Sequence, residues 1–231
     1  MINLKKIAIL IASAFIFSSA NAADFGFNIG GSVSAGVFDV DGAKEKFAAG
    51  HSSSAGSAVT KDAKTEGDEA KGLFALGSIF TEITVNDKFA IGVDYVPHAI
   101  ETNQIENKQG VVDAAPTLTN RAEVHFDEIT TIYASYFLTE NLYAKAGYIK
   151  ADVLTKEVLG TGGAYPNTDI DGLVFGLGYE RDLASGLFVR LEASYTDLDG
   201  VSVTNTNDST KSISVDGITG YGALLSIGKS F

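Results

Sequence analysis

The sequence contains no cysteine and no tryptophan, and only three of its 231 residues are proline. The chain must therefore hold itself together without disulfides. Positive charge is also in short supply: 17 Lys and Arg stand against 29 Asp and Glu, for a formal net charge of -12. Such acidity argues against a nucleic-acid partner and against simple attraction to anionic phosphates. After the first 22 residues no apolar run is long enough to cross a bilayer as a helix, so a membrane-inserted form would have to cross with strands. Glycine is plentiful, at 25 residues, and the aromatics are 14 Phe and 9 Tyr.

The amino terminus holds the one sustained apolar run. Lys5 and Lys6 precede the stretch from Ile7 to Phe17, and Ser18, Ser19, Ala20, Asn21 and Ala22 follow it. That order of basic, apolar and small residues is the layout of a secretory signal peptide cleaved after Ala22. The run is well short of the ~20 residues that a membrane-spanning helix needs. Residues 1–22 are read as a signal peptide and residues 23–231 as one domain, long enough for a full set of strands. Cleavage removes Lys5 and Lys6 and takes the net charge from -12 to -14.

Hydrophobicity then alternates with a period of two. Phe25, Phe27, Ile29, Val33, Ala35 and Val37 fall on one face, and Gly26, Asn28, Gly30, Ser32, Ser34 and Gly36 on the other. The same alternation returns at Phe89, Ile91, Val93 and Tyr95, and again at Leu173, Phe175, Leu177 and Tyr179. A period of two over about ten residues is a strand whose faces meet different solvents. The second face is mostly Gly, Ser and Ala, where a soluble sandwich would show Lys, Glu and Thr. Small side chains are expected where a face converges inside a narrow barrel and the apolar face meets lipid.

The pattern predicts eight strands, at 25–38, 73–85, 88–100, 123–138, 142–155, 170–180, 187–198 and 217–231. The segments 39–72, 101–122 and 199–216 read as long loops and 156–169 as a medium one, while Asn86 with Asp87, residues 139–141 and residues 181–186 read as short turns. Every short turn and both termini then share one end, the asymmetry of transmembrane barrels with long extracellular loops. The aromatics sort accordingly. Phe25, Phe27, Phe89, Tyr136, Tyr179 and Phe231 are expected to face lipid near the short-turn end, and Tyr95, Tyr148, Tyr195 and Tyr221 near the other. The fold class is therefore all-β, an eight-stranded antiparallel up-and-down transmembrane β-barrel.

The last strand runs from Tyr221 through Leu225 and Ile227 to Phe231, with alternate positions apolar except Lys229. It resembles the carboxy-terminal signal by which outer-membrane barrels are recognised for assembly. Lys229, near the interface, can extend its ammonium to the headgroups. The stretch Asn141 to Tyr148 is similar to the fifth strand of the small eight-stranded barrels of the OmpA and OmpX type, including opacity-like surface proteins. That resemblance implies a monomeric outer-membrane surface barrel with a structural, membrane-integrity or adhesion role. It also implies the barrel assembly machinery, membrane lipid and lipopolysaccharide as partners. No second domain is expected after Phe231.

By strand parity Glu82, Asp94, Lys145, Arg190 and Glu192 point inward. Eight strands enclose a lumen just wide enough for side chains to fill, and buried charges must pair or bear a desolvation cost of several kcal/mol each. A network joining Lys145 and Arg190 to Glu192 and Glu82 is expected, read as an internal plug, with a gated pore for ions or small solutes as the alternative. At the opposite rim an Asp-apolar-Asp-Gly pattern recurs at Asp39 to Gly42, Asp169 to Gly172 and Asp197 to Gly200. The carboxylates of Asp39, Asp41, Asp169, Asp171, Asp197 and Asp199 suit a divalent cation that bridges to lipopolysaccharide, although Asp and Gly also form ordinary turns.

Catalysis has little support. His51 and Ser53 have a spacing like that of outer-membrane lipid A deacylases but lie in a Gly, Ser and Ala-rich segment read as mobile, and His98 and His125 are placed where they could approach Asp127. The expectation is a barrel that is not an enzyme and uses no cofactor, with a lipid A-modifying enzyme as the weaker alternative. Loop recognition of an extracellular ligand is open, because composition names no partner.

Overall fold

The computed structural model describes residues 25–47, 64–86, 88–101, 105–111, 114–159 and 163–231. The expected signal peptide, His51 with Ser53, and Asp87 lie outside the described residues. Ten strands form: β1 (Phe25–Phe47), β2 (Lys64–Val85), β3 (Phe89–Tyr95), β4 (Ile100–Glu101), β5 (Ile105–Val111), β6 (Ala114–Phe137), β7 (Leu142–Leu159), β8 (Thr168–Asp182), β9 (Leu187–Thr204) and β10 (Ser212–Ser230). The three strands β3, β4 and β5 all pair with β6 and make one interrupted stave, so the ten strands give eight staves.

All pairings are antiparallel, and β10 returns to pair with β1 from Asn28↔Ser230 upward. The sheet is thereby closed. Phe27 and Phe231 seal the seam by exchanging backbone hydrogen bonds of 3.3 and 2.9 Å. At the level of β3 every stave is paired on both sides, which is the condition for strands to sit in lipid.

The alternation seen in the sequence becomes two faces. Phe25, Ile29, Val33, Val37, Ile79, Ile91, Phe175, Leu191, Leu225 and Phe231 are exposed on the outside. Asn28, Ser32, Glu82, Tyr133, Ser135, Arg190, Glu192 and Ser226, of opposite parity on their strands, are buried inside. Outward rings meet in pairs at both levels. Phe27 and Phe231 centroids are 6.3 Å apart, and Phe89 and Tyr136 4.9 Å, at the short-turn end; Tyr195 and Tyr221 are 5.2 Å apart at the other.

Strand extent differs from the sequence expectation. The segments 39–72, 101–122 and 199–216 are in large part strand: β1 runs to Phe47, β2 begins at Lys64, β5 and β6 meet at Val111↔Ala114, and β9 and β10 meet at Thr204↔Ser212. At 23 residues β1 is about twice the 9–11 that a spanning strand needs, and β6 has 24. Beyond the outer girdle the lipid-facing apolar stripe gives way to charged residues such as Lys150, Asp152 and Lys156, and the register is carried upward from the spanning part.

The Asp-apolar-Asp-Gly pattern is also placed differently. It falls within β1, β8 and β9, not in turns at their ends. Gly42 has φ +60 and marks the bulge where the β1–β2 register shifts between Val40 and Ala43. A Cβ there would come within 2.1 Å of Asp216 Oδ2. Glu128, at φ 54, marks a second bulge, where the β6–β7 register shifts.

Candidate functional site

Near the short-turn end, the inward faces of β2, β6, β7, β8 and β9 converge on Arg190. Its guanidinium holds Glu82 bidentately, with Nη1–Oε1 at 2.6 Å and Nη2–Oε2 at 2.7 Å, while its Nε donates to Glu180. The planar fork of arginine suits two parallel bonds to one carboxylate. Asn28 donates to Glu82 at 3.1 Å and Tyr133 at 2.8 Å, so a carboxylate only 1% exposed is fully partnered. Aromatic rings enclose the cation: the Arg190 Cζ is 4.6 Å from the Phe188 ring centroid and 5.5 Å from those of Phe80 and Tyr143. Their ring faces add an electrostatic attraction to the packing.

A second pair stands beside the first. Lys145 ion-pairs with Glu192, which also accepts a hydrogen bond from Tyr143 at 2.9 Å. The Lys145 Nζ lies 5.2 Å from the Tyr133 ring centroid. Asp94 accepts from Ser78 at 2.8 Å. The structure thus brings the five charged residues singled out from the sequence to one cavity, and it divides them into Arg190 with Glu82 and Lys145 with Glu192. Asp94 has a hydroxyl for its partner.

The small inward residues make this crowding possible. A Cβ on Gly178 would lie 2.3 Å from the Tyr143 ring, one on Gly92 2.5 Å from Tyr133, and one on Gly228 2.3 Å from Phe188. Between the charged groups lies a cavity of about 20 Å³, room for a single water. Farther along the lumen the filling is apolar: Val96, Ile129, Ala151, Val153 and Ile170 are buried together, with Leu76, Ile149, Leu198 and Ile218 packed on them.

Sequence reasoning missed Glu180, Tyr133, Tyr143, Phe80 and Phe188. Parity carried a signal for four of them. Tyr136 and Tyr148 face lipid, so Tyr133 and Tyr143, an odd number of positions away on the same strands, face the lumen; Phe80 shares parity with Glu82, and Phe188 with Arg190. Glu180 stood at the expected end of its strand, where a charge looks like solvated rim.

At the far rim the carboxylates are spread along four adjacent staves. Asp39 pairs with Lys71 at 2.8 Å, Asp169 with Lys150 at 2.5 Å, and Tyr148 donates to Asp171 at 2.6 Å. Asp216 pairs with Lys44 at 2.7 Å. Asp41, Asp197 and Asp199 lie in the same band. Among the described residues these aspartates do not converge as a set of metal ligands. His98 accepts a hydrogen bond from the Gly77 N–H at 3.3 Å, and Asp127 accepts from the Glu128 N–H at 2.8 Å. His125 meets Glu123 and Glu101, not Asp127.

A closed eight-stave sheet with an apolar exterior and two aromatic girdles defines the class: an outer-membrane β-barrel. No protein-family model and no curated protein matches the sequence. Among solved structures, the outer membrane protein AlkL in lipid bilayers is 14% identical with a TM-score of 0.50, over 93% of this chain and 93% of that one. OprG of Pseudomonas aeruginosa is 13% identical with a TM-score of 0.45, over 91% of this chain and 98% of that one. Ail, the attachment invasion locus protein of Yersinia pestis, is 10% identical with a TM-score of 0.37, over 89% of this chain and 99% of that one. The likeness to AlkL is one of fold, that of the small eight-stranded outer-membrane barrels.

Proposed function

We propose that this chain is a monomeric surface barrel of a bacterial outer membrane, without enzymatic activity. Residues 1–22 direct its export and are cleaved after Ala22, and the run from Tyr221 to Phe231 engages the barrel assembly machinery. The spanning part is an anchor with a filled lumen. The staves that continue past the outer girdle present the surface on which a membrane-integrity or adhesion role depends, with lipopolysaccharide as neighbour and an extracellular ligand as the partner to be sought.

The observation that carries this reading is the filled lumen. Ion pairs close one level, apolar side chains close the next, and the cavity between the charged groups is about 20 Å³. A hydrated ion has no continuous path through such packing. Refolded protein added to a planar bilayer is expected to give no stable unitary conductance; large, long-lived steps would refute the plug.

A pore is the second reading, favoured by one feature: the plug at its narrow level is made of ion pairs, which can exchange partners where apolar packing cannot. Under that reading conductance appears and changes with Arg190→Ala or Glu192→Gln. A lipid A-modifying activity draws no comparable support from the described residues, since His125 and Asp127 do not meet. Incubation with lipid A and a search for deacylation or acyl transfer tests it.

A further inference from the structure

Beyond the outer girdle, β4 and β6 bring together one histidine and two glutamates. Glu101 is directly opposite His125 in the β4–β6 pairing, and Glu123 lies two residues before His125 on the same face of β6. That face is the outer one: His125 pairs with Leu154, six positions along β7 from the outward Tyr148. One ligand atom from each of Glu101, Glu123 and His125 lies within 4.8 Å of the other two. The His125 side chain is 5% exposed, while Glu101 is 64% exposed and free to swing.

The imidazole sits between two carboxylates. Its Nε2 contacts Glu123 and its Nδ1 is 3.6 Å from Glu101 Oε1. Neutral imidazole offers one N–H and one lone pair. One carboxylate therefore faces a donor while the other faces a lone pair, an unfavourable contact that burial makes worse. A cation removes the conflict, either as a second proton on the ring or as a metal ion among the three groups. Ligand atoms around a four-coordinate ion with bonds of roughly 2.0–2.2 Å stand about 3.4 Å apart. Glu101 and Glu123 face different ring nitrogens, so both carboxylates must turn to meet an ion on one of them, Glu101 across the ring edge and Glu123 back from its direct contact with Nε2. One imidazole nitrogen with two carboxylate oxygens suits zinc and its first-row neighbours, where calcium and magnesium take all-oxygen sets.

We propose that Glu101, Glu123 and His125 form a binding site for a first-row divalent transition metal on the extracellular part of the barrel. The ladder itself builds it, because cross-strand pairing sets Glu101 against His125 and strand periodicity sets Glu123 beside it. Three protein ligands leave one position of a tetrahedral ion for water or for a donor from another molecule. Binding requires neutral imidazole and ionised carboxylates. Lys156 stands opposite Glu123 in the register.

Zinc chloride titrated calorimetrically into the full-length barrel, refolded in detergent micelles at neutral pH, tests the site. One equivalent is expected to bind, weakened at least about tenfold by His125→Asn and by Glu101→Gln. The second variant alters an exposed side chain and leaves the fold out of question. Asp197→Asn, in the rim band, is expected to leave binding unchanged. The proposal is overturned by the absence of saturable heat, by binding that neither site variant weakens, or by binding that follows Asp197 instead. A cluster that takes only a proton gives the first of these results.

Discussion

At the scale of the residue, Arg190 organises the lumen. It bonds to both Glu82 and Glu180 and is enclosed by three aromatic rings. Deleting it leaves buried carboxylates without a counter-charge, and breaking one side of a buried pair costs about 3–5 kcal/mol. Arg190→Ala is therefore expected to lower the urea midpoint for unfolding in micelles, followed by circular dichroism. Combining Arg190→Met with Glu82→Gln removes both charges, and the double variant is expected to be less destabilised than the sum of the singles. Additive losses would mean that the two residues act independently. The individual charges were legible from parity. Their partners were not, because a period of two says which way a side chain points and nothing about how far across the lumen it reaches.

At the scale of the element, the staves are longer than lipid requires. In the β9–β10 hairpin, Val201↔Val215 and Val203↔Ile213 pair well beyond the girdle tyrosines Tyr195 and Tyr221. This extension rests on the spanning part and does not hold it together. Removing residues 201–215 joins Gly200 to Asp216 as a two-residue turn between the paired Asp199 and Gly217, a length that antiparallel hairpins favour, with Gly at the first position. The shortened chain is expected to keep the barrel, seen as an unheated gel band that migrates apart from the boiled one. Loss of that band would show that the extension is needed for folding. The strands below the girdle were legible because lipid on one face and a packed lumen on the other impose contrast. Above it the outer face meets water, the lipid-facing stripe ends, and Asp, Gly, Ser and Thr read as loop although the ladder continues.

At the scale of the whole molecule, the three short turns and the seam at Phe231 lie at one end, with the extension at the other. In an outer membrane the extension faces outward. The native chain has no cysteine, so single introduced thiols report orientation cleanly. A membrane-impermeant maleimide is expected to label Asn207→Cys on intact cells, and to label Asn86→Cys only after lysis. The reverse pattern would invert the topology.

The sequence by itself determined the number of staves, the inward or outward sense of each residue in the spanning part, both girdles, and the acidity that sets nucleic acid aside. These are local properties, written in a period of two and in the contrast between lipid and lumen. Only the tertiary structure decided that Arg190 holds Glu82 while Lys145 holds Glu192, that Glu180 belongs to the plug, and that His125 meets Glu101 and Glu123 in place of Asp127. Those partnerships depend on strand register, on two bulges and on closure of the ring. Each of these relates residues far apart in the chain, and none leaves a mark in the alternation of neighbours.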